Sequence, residues 1–184
     1  MNRGRRSALL ALALALTLTA CSGGPDQPPP SEHEFPSAMP SADTTGHPAE
    51  PGETPACDTI IPTSLAAEFT GFGMTALEEE FRIGEHVIEG GIQCTWGDHD
   101  IATDHVQIYG WAPIEPAHAA EMQEYLEAQQ WRREEGQGFV YLTENSDFAT
   151  TVDDDGYGMT YAFGDGFVLL ADTKQGLALV TWRG

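Results

Sequence analysis

Hydrophobic positions divide the chain into three parts. Ala8 to Leu18 is almost unbroken Ala and Leu behind Arg3, Arg5 and Arg6, whereas the stretch from Ser22 to Ala56 holds nothing large and apolar beyond Phe35 and Met39. From Cys57 onward apolar residues return at the spacings of secondary structure, so the folded part is expected at 57–184. At 128 residues it is a usual single-domain size, able to bury a real core.

Alternation within that part is clearest near its end. Tyr157, Met159, Tyr161 and Phe163 alternate with Gly158, Thr160 and Ala162, as in a half-buried strand. Gly164-Asp165-Gly166 predicts a turn into Phe167 to Thr173, and Lys174-Gln175-Gly176 a second turn into a strand from Leu177 to Trp182. These runs predict a C-terminal three-strand meander. Upstream, Ile92 to Gly97, entered by a turn at Gly90-Gly91, Val106 to Trp111 and Phe139 to Leu142 also read as strands. Leu77-Glu78-Glu79-Glu80-Phe81 fits a helical turn and an edge strand alike. Helical spacing occurs twice. Thr63 can cap a short helix through Phe69 with Gly71 as its stop, and Pro116 opens a longer one to about Arg133 that brings Ala119, Met122, Tyr125, Leu126 and Gln129 to one side. The expected class is α+β, an antiparallel sheet with two helices packed on one face.

A basic start followed by about ten apolar residues is the pattern of a signal peptide. A bilayer-spanning helix needs roughly 20 such residues, and this run gives way to Ser22-Gly23-Gly24-Pro25. It closes on Leu18-Thr19-Ala20-Cys21, which resembles the bacterial lipoprotein signal, in which small residues precede a cysteine that receives a diacylglyceryl group before cleavage. That resemblance implies removal of residues 1–20, lipidation at Cys21 and a place on the extracellular face of the cell membrane. Cysteine suits the step because its thiolate is the nucleophile, and two or three acyl chains anchor stably where one binds marginally. The alternative is an ordinary secretory signal cut after Ala20.

Residues 21–56 then form a spacer. Ser22 to Ala56 contains nine of the chain's 12 prolines, cannot build a core, and would reach between about 30 Å as a flexible coil and about 100 Å fully extended. His33 and His47 sit there among Glu and Pro as solvated side chains. Charge narrows the partners. Loss of the three leader arginines leaves five bases against 29 acids, taking the formal charge from −21 to −24. Six of those acids lie in the spacer, so the domain holds 23 acids against five bases, or −18. Nucleic acid is excluded, because the phosphate term that dominates such binding would be repulsive, and direct attraction to an anionic membrane fails likewise.

Once Cys21 carries lipid, Cys57 and Cys94 form an even pair in an exported chain, and a disulfide between them is the expected state. Zinc competes for the same thiols, but two distant cysteines without a Cys-x-x-Cys pair fit it poorly. Cys57-Asp58-Thr59-Ile60-Ile61-Pro62-Thr63 leading into an Ala/Leu-rich helix, with Cys94-Thr95-Trp96 downstream, resembles the actinobacterial lipoproteins that share an extracellular domain of unknown function. The resemblance covers the leader and the first third of the domain, and departs from the pattern in an acidic insertion between Ala76 and Glu89. It implies that Cys57 pairs with Cys94 and that Trp96 packs beside them. It implies no activity.

Candidate chemistry is sparse. No Gly-x-Ser-x-Gly, His-Glu-x-x-His, phosphate loop or dinucleotide fingerprint is present. Asp98-His99-Asp100 with Asp104-His105 would hold a divalent cation if the loop folded back on itself, although polar hairpin connections commonly look the same. Asp153-Asp154-Asp155-Gly156 suggests calcium, yet aligning Gly156 with the sixth loop position puts Thr151 first and Ala162 twelfth, where an EF-hand needs Asp and Glu. With 23 acids a glycosidase pair is neither supported nor rejected. The expectation is a lipid-anchored, non-catalytic binding or interaction module of the bacterial envelope, with no cofactor and no metal site, taking an envelope protein or a small molecule. The alternatives are a divalent-cation binder through Asp98 to His105 and a cell-wall hydrolase.

Overall fold

The computed structural model describes residues 53–101 and 105–184, so the leader, Cys21 and nearly all of the spacer lie outside the described residues. A helix, α1 (Thr63–Gly71), precedes a first meander of β1 (Thr75–Ile83), β2 (His86–Gly97) and β3 (Gln107–Pro113). A second helix, α2 (Pro116–Ala128), carries the chain to the far edge of the sheet. The chain returns through β4 (Arg132–Gly136), β5 (Phe139–Thr143), β6 (Thr160–Phe163) and β7 (Phe167–Ala171) until β7 pairs with β3. The result is one seven-stranded antiparallel sheet in the order β1-β2-β3-β7-β6-β5-β4. The α+β class and the C-terminal meander are both present.

The central strands are apolar on both sides, and that dictates the layering. β6 is buried along its whole length and β7 along all but its first residue. Tyr109, Trp111, Leu169, Ala171 and Ala162 point to one face, where they pack with Ile60, Ile61 and Ala66 and with Leu177, Val180 and Trp182 from the chain's last stretch. Ala112, Val168, Leu170, Tyr161 and Phe163 point to the other, against Ala119, Met122 and Leu126 of α2. The two helices therefore lie on opposite faces rather than sharing one. Strands that bury both sides need cover on both, so α1 and the C-terminal segment seal the first face and α2 the second.

Four local expectations change for identifiable reasons. Gly90-Gly91 is not a turn: β2 runs through it, and a Cβ at Gly91 would stand 2.3 Å from the Ala112 Cβ and 2.7 Å from that of Phe81. The glycine is there for close approach, while the turn falls at Gly84, with φ 59°. The second helix stops at Ala128, because Gln130 takes a left-handed φ of 68° and Trp131 tucks against the Tyr161 ring at 5.3 Å, which sends Arg132 and Arg133 into β4. Leu177 to Trp182 is not a strand. A 3₁₀ turn, Gln175–Leu179, leads into a crossing where the Ile60 carbonyl accepts from the Thr181 and Trp182 amides at 2.8 and 3.3 Å, so the meander is completed by β5 on its other side. Thr63 begins α1 without capping it, Pro62 standing at the N-cap with no side-chain bond. Leu77 to Phe81 settles as edge strand, its three glutamates exposed as edge protection.

Cys57 and Cys94 form a disulfide, with Cα atoms 5.5 Å apart, that pins the segment before α1 to β2. Closing that loop stabilises the fold by about 4 kcal/mol through the chain entropy of the unfolded state. Trp96 packs in the same cluster, its ring 5.3 Å from that of Phe69 on α1. Among the described residues no helix is long and apolar enough to cross a membrane.

Candidate functional site: a cleft on the first face

Cover on the first face is incomplete. Over β4, β5 and β6 the sheet forms the floor of a cleft of about 610 Å³, walled by the loop from Glu144 to Met159 and by the stretch from Lys174 to Arg183. Strand periodicity sets the floor. Glu134 on β4 lies opposite Tyr141 on β5, which lies opposite Ala162 on β6, so all three project the same way. The small Ala162 leaves depth between its larger neighbours.

The wall is tied down by one carboxylate. Asp153 Oδ1 accepts from the backbone amides of Tyr157 at 2.8 Å and Asp155 at 3.1 Å, and Oδ2 accepts from the Gln175 amide at 3.3 Å. This Asx-type turn presents Tyr157 to the cleft. Lys174, in the turn that follows β7, donates to Glu134 Oε2, and its ammonium sits 4.2 Å from the centroid of Tyr157 and 4.9 Å from that of Tyr141. Tyr157 donates its hydroxyl to Glu134 Oε1 at 3.2 Å. Arg132 approaches the same oxygen at 3.4 Å and stacks over Tyr157 at 4.2 Å. Two cations, two tyrosines and one carboxylate thus form a single cluster.

Its electrostatics run in one direction. The hydrogen bond from Lys174, then its charge, the Tyr157 hydroxyl and Arg132 together outweigh desolvation and hold Glu134 below the ordinary carboxylate range. Glu134 is accordingly ionised at neutral pH and has no proton to give. At the other end, Arg183 donates from Nη1 to the carbonyls of Val180 at 2.8 Å and Trp182 at 2.7 Å and lies 5.5 Å over Phe167. Burial lowers its pKa from the ordinary guanidinium value. An aromatic strip joins the two ends, with Phe167 to Phe139 at 6.0 Å and Phe139 to Tyr141 at 5.8 Å.

The residues singled out from sequence lie elsewhere or serve other ends. His99 Nε2 stands 3.2 Å from both the Thr75 and Thr95 carbonyls, and Asp98 Oδ1 accepts from the Asp100 amide, a turn geometry. Asp104 and Cys21 are outside the described residues. Among the described residues no three His, Cys, Asp or Glu side chains are grouped to hold a metal ion. Asp153 to Gly156 forms the turn described above, with Gly156 at φ 80°. Sequence reasoning missed Glu134, Tyr141, Lys174 and Arg183 as a set, assigning Tyr157 to a strand and leaving Glu134 beyond a helix end. One signal was available: Lys174 and Arg183 are two of only five bases in an acidic domain.

Comparison with known proteins returns no match to a family model, a curated protein or a solved structure.

Proposed function

We infer that the chain is a lipid-anchored extracytoplasmic protein of the bacterial cell envelope, tethered through Cys21, and that its folded domain is a non-catalytic binding module. The leader, the Leu18-Thr19-Ala20-Cys21 junction and the proline-rich spacer support the tether, in line with the resemblance to actinobacterial lipoproteins. The disulfide is consistent with an oxidising compartment.

The observation that carries the binding role is the cleft. Its volume of about 610 Å³ falls within the roughly 300–1,000 Å³ of small-molecule sites, and rings plus a few fixed charges line it. Those charges are engaged with one another instead of being poised for proton transfer. A two-carboxylate hydrolase needs one carboxyl kept protonated near neutral pH, whereas Lys174 and Arg132 drive Glu134 the opposite way.

The test is recovery of envelope fragments on the full chain expressed in a lipoprotein-processing host. Wild type should partition into detergent and retain fragments; Cys21→Ser should move to the aqueous phase, and a Tyr141→Ala, Lys174→Ala double variant should lose the fragments. An unmodified Cys21 in the intact mass would refute the tether. Undiminished retention by the double variant would refute the cleft as the binding surface.

A further inference from the structure

Pairing of charges around the cleft leaves one cation, Arg183, and one carboxylate, Asp155, each without a charged partner among the described residues. Glu134 is answered by Lys174 and Arg132, Glu135 by Arg133 at 2.9 Å, and Asp153 by three backbone amides. Arg82 pairs with Glu80 on the β1 edge. Among the described residues Arg183 is thus the base that has no carboxylate partner, in a domain where acids outnumber bases 23 to five. Its Nη1 is committed to two carbonyls, while no described residue accepts from Nε or Nη2. A guanidinium that faces a cleft, half-buried, with part of its donor fork unused, is a receptor for an anion.

We propose that the cleft takes a small ligand bearing a single carboxylate on a ring, the carboxylate meeting Arg183 and the ring lying along the strip from Phe139 to Tyr141. This inference rests on the reading of the cleft as a binding site. Ring faces next to polar groups suit a ring-shaped body, since Tyr offers an apolar surface with a polar tip. Arg183 is the unpaired positive charge on the lining and one carboxylate answers it, while the unpaired Asp155 on the same lining disfavours any further negative charge. A dianion such as a phosphate monoester would bring a second charge into a site rimmed by Asp155 and ionised Glu134, within the field of an acidic domain.

Three sugars on one scaffold separate these possibilities: glucuronate with one negative charge, glucose with none and glucose 6-phosphate with about two. They are titrated into the full chain after the leader, carrying Cys21→Ser, with backbone amide shifts as the readout. The proposal expects glucuronate to move the amides of Tyr141, Gln175 and Arg183 and to bind at least tenfold more tightly than either of the other two. Arg183→Gln should remove most of that preference and leave residual ring binding. Arg183→Lys, which keeps the charge without the fork, should fall between, and both variants are assayed at the same interval below their own melting temperatures as wild type. Equal binding of glucose at the cleft overturns the anion assignment and leaves the binding module standing, and tighter glucose 6-phosphate overturns the monoanion assignment. Absence of any cleft shift with all three sugars overturns the ring-carboxylate ligand, and the envelope-fragment experiment then decides whether the cleft binds at all.

Discussion

The two faces of the sheet are built from alternate residues of the same strands, yet they end in different states. The second face is closed by α2, with Phe81, Leu142, Leu170 and Val168 buried beneath it or beside it and Leu126 at its centre. The first is closed only where the disulfide, α1 and the C-terminal crossing reach, and its uncovered part carries Glu134, Tyr141 and Lys174 in place of aliphatic side chains. One layer of strands therefore supplies both the stability and the site, divided by parity. A residue's neighbour in sequence belongs to the other function: Leu142 is core, and Tyr141 is cleft floor.

That division breaks most visibly at Phe81. Phe81→Ala should destabilise the domain by up to about 5 kcal/mol in urea unfolding, since the ring fills the space left by Gly91 and Gly110. Replacing Cys57 and Cys94 together with Ser should cost about 4 kcal/mol, with the loss seen as a lower midpoint of the same transition. A smaller and pH-dependent effect belongs to the cleft. Lys174→Met removes an ion pair that is only partly shielded from solvent together with two ring contacts, an expected loss of about 1–2 kcal/mol at pH 7. Because Glu134 is held below its unfolded-state pKa, the ion-pair part of this contribution is fully present above the ordinary carboxylate range near about 4.3 and declines as pH falls below it, while the ring contacts remain. The gap between the melting temperatures of wild type and variant should therefore narrow on acidification, leaving the part due to the ring contacts. Smallest is Gln130→Gly, which relieves a left-handed φ of 68° and should stabilise by about 0.5–1 kcal/mol in the same unfolding assay.

Much of the fold was legible because alternation is local. Tyr161 and Phe163 announced β6, Pro116 announced α2, and a count of thiols announced Cys57 with Cys94. The layering was not legible, since short strands such as Phe167–Ala171 are apolar throughout and do not say which side each helix will cover. Leu177 to Trp182 has strand-like apolarity, but its burial comes from crossing beneath Ile60. The cleft was harder still. Glu134 and Lys174 meet across 40 residues of chain, and nothing near either position marks the other.

The most direct test is to titrate solubilised envelope fragments of the native host into the isotope-labelled chain and map the amide shifts. The account predicts changes along 134–141, at 153–157 and at 174–183, with α2 silent. Shifts centred on α2 or on the β1 edge, or none at any fragment concentration, would contradict it.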